Sequence, residues 1–244
     1  MSEVSIGTVP SGSAHLRAYL ARPDGDGPWP GVVAIHEMFG ADAQFRRHCD
    51  RLASAGYLTL GLDLFSDGGP RKCIVATMTA LFRGRGKPLA DIEAGRRHLL
   101  ESPDCAGKVG IIGFCMGGGF ALLTAPRGFD VAAPNYGQAP AHTQRALAGS
   151  CPVVASYGSR DPLMPGMAKR VEKALEANGV AHDVKVYPGV GHAFLNDEMT
   201  GPRALRPIER VLNVGPRPKE AADAWARIEG YFATYLCSAR AAGG

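Results

Sequence analysis

Cys115 stands in the stretch of this sequence best suited to nucleophilic chemistry, the GFCMG segment at residues 113–117. An apolar run at residues 109–112 predicts a buried strand before it, and residues 120–123 predict the start of a helix after it. A strand, a G-x-C-x-G turn and a helix are typical of a sharp turn that exposes a nucleophile. Cβ atoms at Gly113 and Gly117 would strike the neighbouring strand and helix, which explains the glycines. The positive end of the helix dipole would favour a Cys115 thiolate.

Two other interpretations of this turn are open from the segment alone. Cys115 could be a buried structural cysteine in a glycine-rich turn. The turn could also bind a dinucleotide, but that motif is G-x-G-x-x-G, and Cys115 occupies the place of its second glycine. About 20 residues further on, where an acid would bind ribose, the chain has Asn135. The nucleotide interpretation is therefore strongly disfavoured, and the remaining choice depends on partners elsewhere in the chain.

Three further residues with acid–base chemistry follow predicted strands. Glu37 follows the strand at residues 31–35, Asp161 the strand at 152–157, and His192 the strand at 184–186. Ligands of parallel sheets bind beyond the carboxyl ends of the strands, so these side chains should converge on Cys115. Alone, each has an ordinary explanation, because an Asp before Pro usually forms a turn and a lone Gly-His is usually structural. The chain order of nucleophile, acid and histidine nevertheless favours a catalytic set.

The elements that must position these residues alternate along the chain. An N-terminal hairpin at residues 4–6 and 16–20 is expected at the sheet edge, and Asp42 is expected to cap a helix that Gly56 ends. Residues 74–86 are ambiguous, with helix followed by loop favoured, and 195–219 read as a long loop. The tail at residues 241–244 is predicted to be disordered. Further strands are predicted at residues 57–62 and 131–133, and further helices at 89–100, from Pro165 to 179, and at 220–236. Strands alternating with helices predict an α/β fold, with a mostly parallel, doubly wound sheet and helices on both faces.

Bulk composition excludes several classes of protein. The 244 residues are 45% hydrophobic and 20% charged with a formal charge of +4, which suits one domain over 1–244 and gives no support for nucleic-acid binding. No signal peptide and no membrane-spanning run are visible, so a cytoplasmic protein is expected. Six cysteines without C-x-x-C spacing argue against a zinc site or disulfide scaffold. We expect no metal, no cofactor, and a monomer or small homo-oligomer.

Four motifs together resemble those of the dienelactone hydrolase family, carboxymethylenebutenolidases of the α/β-hydrolase fold. They are residues 113–118 around Cys115, 158–161 ending in Asp161, 191–194 containing His192, and 36–40 containing Glu37. The resemblance covers about residues 4 to 236. It implies that Cys115 is the nucleophile, that Asp161 and His192 complete a catalytic triad, and that Glu37 meets the resting cysteine and helps to deprotonate it.

The residue types suggest roles for this set. A thiol with a pKa near ~8.5 is only a few per cent thiolate at neutral pH, so a base is needed. His192 can take the proton, while Asp161 fixes its tautomer and stabilises the imidazolium. The backbone N–H groups of Met116 and Met38 are the expected donors to the tetrahedral oxyanion.

The sequence departs from the family where substrate is selected. Resemblance to enzymes that act on muconate-derived lactones implies two arginines holding the substrate carboxylate, one of them soon after the histidine. Here Asn196 stands near that place, and Arg83 or Arg85 could at most supply the other. Phe39 and Phe194 are further candidates for substrate contact. A substrate without a tightly held carboxylate is therefore expected.

The sequence thus predicts hydrolysis of a small lactone or carboxylic ester through a Cys115 thioester. The alternatives are a broader esterase or thioesterase with the same residues, and a non-catalytic small-molecule-binding protein that keeps the pocket.

Overall fold

A computed structural model describes residues 2–237 and contains one eight-stranded sheet in the order β1-β2-β4-β3-β5-β6-β7-β8. β1 and β2 are antiparallel to each other and β2 is antiparallel to β4, while all other neighbours are parallel. The prediction of a mostly parallel sheet with an antiparallel hairpin at its edge is confirmed. The strands are β1 Ser2–Gly7, β2 Leu16–Ala21, β3 Trp29–Ile35, β4 Leu58–Asp63, β5 Cys105–Phe114, β6 Val131–Asn135, β7 Val153–Gly158 and β8 His182–Tyr187.

Helices cover both faces of this sheet. They are α1 Ala43–Ser54, α2 Pro70–Arg83, α3 Lys87–Glu101, α4 Met116–Thr124, α5 Thr143–Ala146, α6 Met167–Ala177, α7 Arg206–Val211 and α8 Pro218–Leu236, with a 3-10 turn at Arg203–Leu205 before α7. No helix within residues 2–237 is both long enough and apolar enough to cross a bilayer.

Alternate residues of the central strands enter two separate cores. In β3, Val33 and Ile35 pack into the core under α3, α4 and α6, whereas Val32 and Ala34 pack into the core under α1 and α8. Side chains of a strand point alternately to opposite faces, so an uninterrupted apolar run such as β3 fits a strand covered on both sides. The sheet is therefore held rigidly between two helical layers, with the carboxyl ends of its parallel strands at one edge.

Several element boundaries differ from the predictions. Residues 74–83 continue as helix α2 from Pro70, and Gly84 ends it with a φ of 64°. Pro165 is not the first residue of a helix, because Gly166 follows with a left-handed φ of 69° and α6 begins at Met167. The segment 195–219 is not a plain loop, since it holds α7 and the start of α8. The predicted disordered tail, 241–244, lies outside the described residues.

Candidate active site

Cys115 occupies a strained turn between β5 and α4, with a φ of 54° and a ψ of −114°. A Cβ at Gly113 would lie 2.0 Å from the Gly117 carbonyl oxygen, and a Cβ at Gly117 would lie 2.3 Å from the Ile35 oxygen. Only glycine fits at either position, as the sequence predicted. Such strain costs on the order of 1–3 kcal/mol and persists only where the surroundings enforce it. Here the turn places the Cys115 side chain beside a cavity at the carboxyl edge of the sheet.

His192 and Asp161 form a buried pair next to this cysteine. His192 follows β8, Asp161 follows β7, and His192 Nδ1 lies 2.6 Å from Asp161 Oδ2. Because an ionised carboxylate only accepts hydrogen bonds, Nδ1 carries a proton and Nε2 is the free nitrogen of the neutral ring. Nε2 is buried and has no hydrogen-bond partner in the described part of the chain. This arrangement leaves Nε2 available to exchange a proton in the cavity.

Charges around His192 favour its protonated form. Burial lowers the pKa of the ring, but the Cys115 sulfur and the Asp161 carboxylate outweigh it and raise the pKa to about 10. The sulfur therefore acts on the imidazole through its charge, although Nε2 does not meet it in hydrogen-bonding geometry. An imidazolium held beside a sulfur atom suits a thiolate–imidazolium pair.

Glu37 follows β3 and lines the same cavity as Cys115 and His192. Its carboxylate accepts hydrogen bonds from Asn196 Nδ2, 3.3 Å from each oxygen, and from Thr200 Oγ1 at 3.2 Å. Burial raises the pKa of Glu37, which His192 and these hydrogen bonds lower only in part. Glu37 is therefore a carboxylate that can take up a proton more readily than an exposed one.

Asn196 belongs to the protein's own hydrogen-bond network. It is buried, and its Oδ1 lies 3.0 Å from Nε2 of His48, a histidine on α1. Its two polar atoms are thus occupied by His48 and Glu37. Asn196 lines the cavity, and its side chain is hydrogen-bonded within the protein.

Met38 lines the cavity, and Met116 directly follows Cys115 in the chain. Met116 is the first residue of α4, and the first N–H groups of a helix have no acceptor within it. Neither amide donates a hydrogen bond to any group within residues 2–237. Two free donors beside the nucleophile could bind an oxyanion.

Phe39 lines the cavity, but three of the predicted substrate-binding residues do not. Arg83 and Arg85 border a separate groove beside α2 and the start of α3, so their assignment to the substrate pocket is wrong in this structure. Phe194 is fully buried against Tyr136 and Tyr187, with ring centroids 5.6 and 5.1 Å away, because the turn after His192 points it into the core under α8.

Tyr136 is a site residue that the sequence analysis missed. It follows β6 with a φ of 39°, and its ring lies edge-on to His192 at 5.0 Å. Its hydroxyl is buried and has no hydrogen-bond partner among the described residues. Burial, with the Glu37 and Cys115 charges, raises its pKa well above the usual value. Its position at the carboxyl end of a parallel strand was the available signal.

The cavity between these residues encloses about 220 Å³. Its apolar wall comes from the turn after β3, from the loop after β7 and from the segment 193–214. The apolar side chains are Met38, Phe39, Leu163, Ala193, Met199, Ile208, Leu212 and Val214. No cluster of three or more potential metal ligands occurs in the described ranges. The site can therefore present a thiol, a histidine and two free amides to a small molecule.

Comparison with known proteins identifies the family. A family model described as the dienelactone hydrolase family matches residues 16–236. The chain belongs to the dienelactone hydrolase family. A relative from Salmonella typhimurium named "Putative carboxymethylenebutenolidase" is 30% identical over 250 residues, covering 94% of this chain and 87% of the relative. This dienelactone hydrolase family member is thus a hydrolase that acts on small molecules.

Solved structures of the family share the fold. A Klebsiella pneumoniae structure called "Putative Dienelactone Hydrolase" has a TM-score of 0.75 and 25% identity, covering 96% of this chain and 99% of that one. Dienelactone hydrolase from Anabaena variabilis has a TM-score of 0.67 and 22% identity, covering 96% and 97%. The α/β-hydrolase fold expected for this family member is confirmed.

Proposed function

We propose that the protein hydrolyses small carboxylic esters or lactones through an acyl thioester on Cys115. The observation that carries this is the placement of Cys115, on a strained turn, at the cavity that also contains His192, whose other nitrogen is bound to Asp161. The names of the relatives put a lactone among the substrates to test.

In acylation, His192 Nε2 takes the Cys115 proton and the thiolate attacks the carbonyl carbon. A C–S bond forms, and the N–H groups of Met116 and Met38 donate to the oxyanion. Collapse breaks the ester C–O bond, and the leaving oxygen takes the proton from His192. Asp161 keeps the imidazole in the tautomer that this transfer needs.

In deacylation, His192 removes a proton from water, which attacks the thioester carbonyl. The C–S bond breaks, the carboxylic acid leaves, and the sulfur regains a proton. Glu37 acts before these steps: in the resting enzyme its half-buried carboxylate holds the thiol by accepting its hydrogen bond, and the proton passes to His192 once substrate binds.

A panel of lactones and activated esters tests this function. We expect a burst of product equal to the enzyme concentration wherever deacylation limits turnover, and an acyl adduct on Cys115 by mass spectrometry. Turnover of thioesters better than of oxygen esters would favour a thioesterase. Stoichiometric labelling of Cys115 by iodoacetamide without turnover of any panel member would favour a binding protein.

A further inference from the structure

We propose that the cavity over Cys115 selects small, uncharged substrates and rejects those that carry a carboxylate. This deepens the proposed function, on which its turnover experiment rests. Three glutamates, Glu37, Glu198 and Glu209, line the cavity, and none of the described residues that line it is a lysine or an arginine. An anionic substrate would therefore meet like charges, with no lysine or arginine as a counter-ion.

The carboxylates are only partly neutralised. Glu198 is paired with Arg47, whose half-exposed guanidinium lies outside the cavity. Glu37 and Glu209 have no ion pair with a lysine or arginine in the described part of the chain, and one Glu209 oxygen is buried without a hydrogen-bond partner. Asn196 cannot donate a hydrogen bond to an anion, because its amide nitrogen already donates to Glu37.

The size and walls of the cavity point to the same substrate class. The cavity volume of about 220 Å³ is below the ~300 Å³ at which pockets for drug-sized ligands begin. Ile208 on α7, Leu212 directly after α7, and Leu163 give it apolar walls. A short aliphatic acyl group would bury its surface there without leaving a polar group unpaired.

Alkylation tests the charge preference without turnover. Iodoacetamide and iodoacetate are nearly equal in size and differ in charge, and the neutral thiol 2-mercaptoethanol calibrates their intrinsic reactivity. The preference is the rate constant for iodoacetamide divided by the rate constant for iodoacetate. We expect this ratio to be at least ~10-fold larger for Cys115 than for the reference thiol. Peptide mass spectrometry separates Cys115 from the other five cysteines. An equal or lower preference than the reference thiol would overturn the proposal.

Variants of α7 trace the effect to the cavity. Glu209→Gln should reduce the preference, while Glu176→Gln on the exposed face of α6 should leave it unchanged. Ile208 is exposed on one side, so a longer polar side chain is tolerated there. Alkylation of Cys115 by iodoacetate should be faster in Ile208→Arg than in Ile208→Gln. If the ratio of iodoacetamide to iodoacetate alkylation of Cys115 is identical in all four variants, the charge preference does not arise from these cavity residues.

Turnover completes the test with a matched pair of esters. We expect kcat/KM for 4-nitrophenyl pentanoate to exceed that for 4-nitrophenyl hemisuccinate by at least ~100-fold. Comparable Cys115-dependent turnover of both would overturn the substrate class and leave the hydrolase function standing. Failure to hydrolyse either would overturn the proposed function, whereas the alkylation ratio would still decide the charge preference.

A second inference rests on a different observation: we infer that His48 is a positioning residue that orients Glu37 through Asn196. The His48 ring is buried and stacked on Phe114, with centroids 4.3 Å apart and an interplanar angle of 18°. Its Nε2 lies 3.0 Å from Asn196 Oδ1, which can only accept, and 3.4 Å from the Gln44 amide nitrogen; the shorter contact is a hydrogen bond when Nε2 carries the proton. With its oxygen fixed by His48, the amide must turn its nitrogen to both Glu37 oxygens.

The test separates orientation from packing. His48→Phe keeps the stacked ring and removes the donor, whereas His48→Gln keeps a donor and loses the ring. We expect His48→Phe to shift the pH profile of Cys115 alkylation in the same direction as Glu37→Gln. In the double variant His48→Phe/Glu37→Gln, the shift should be smaller than the sum of the two single shifts. His48→Gln should restore part of the profile. A His48→Phe profile that coincides with wild type would overturn this role, whatever the change in Tm.

Discussion

At the scale of single residues, the site is defined by what surrounds each reactive group. Cys115, His192 and Asp161 have ordinary side chains, and only the strained turn and the buried pairing of His192 suit them to catalysis. Because a buried imidazole between a sulfur and a carboxylate has its pKa raised to about 10, the environment favours charge separation. Residue variants therefore test the environment as directly as the chemistry.

Loss of the nucleophile or its base should have the largest effect. Cys115→Ala or His192→Ala should lower kcat by at least ~10³, and Asp161→Ala by less, since Asp161 orients rather than reacts. Steady-state kinetics with an activated ester measures all three. Wild-type turnover in Cys115→Ala would contradict the assignment of the nucleophile.

Glu37 should affect the pH dependence of the thiol. Its pKa is raised by burial, so as the pH falls through this raised value Glu37 becomes protonated and can no longer hold the Cys115 thiol as a carboxylate acceptor. Glu37→Gln should remove the acid limb from the pH profile of Cys115 alkylation. It should also slow alkylation by iodoacetamide between about pH 6 and 9. Profiles unchanged by the substitution would show that Glu37 takes no part in activating the thiol.

At the scale of elements, the turn between β5 and α4 depends on close approach of backbones. The neighbouring strand β3 passes so near Gly117 that no Cβ can be accommodated without moving Ile35. Backbone atoms cannot rotate away as a flexible side chain can. The positions of Cys115 and Glu37 are therefore coupled through β3, which ends at Ile35, two residues before Glu37.

A matched pair of glycine variants tests this coupling. Gly117→Ala should destabilise the fold by about 1–3 kcal/mol, as overpacking does, and lower activity. Gly230→Ala on α8, where a Cβ meets nothing within 4 Å, should stabilise it by about 0.5–1 kcal/mol. Urea unfolding gives both values. Equal effects at the two positions would contradict the steric explanation.

At the scale of the whole molecule, His48 links stability to pH. It is buried between α1 and the sheet, and burial lowers its pKa from 6.5 to about 4, although Asn196 and Asp197 oppose this. The unfolded chain therefore binds the proton more readily than the folded one. Stability from this group is complete above about pH 6.5 and is lost as the pH falls towards 4.

Unfolding experiments can isolate this contribution. Between about pH 7 and pH 5 the wild type should lose about 2 kcal/mol through His48, and His48→Phe should lose less over the same range. Other buried groups, such as His36, titrate in both proteins and cancel in the comparison. A free-energy difference between the two proteins that is constant with pH would contradict the linkage.

The assignment of residues 1–244 to one domain stays a prediction.

The sequence by itself determined the sheet, the turn and the order of the chemical groups. These depend on local physics: apolar runs make buried strands, glycines mark where backbones meet, and parallel strands end at one edge. It could not determine which way neighbouring side chains face. Phe194 was expected beside substrate and Arg83 and Arg85 near it, but packing put the first in the core and the others in another groove.

Only the tertiary structure decided how the site is completed. His48 and Asn196 are 148 positions apart in sequence and meet because α1 packs beside the turn after β8. The segment after β8 also brings Glu198 and Glu209 to the cavity, and no lysine or arginine lines it among the described residues. No local pattern encodes such contacts, because they arise where distant segments share a surface. The sequence thus specifies which reactive groups are present, whereas the fold determines the charge and shape of the cavity around them.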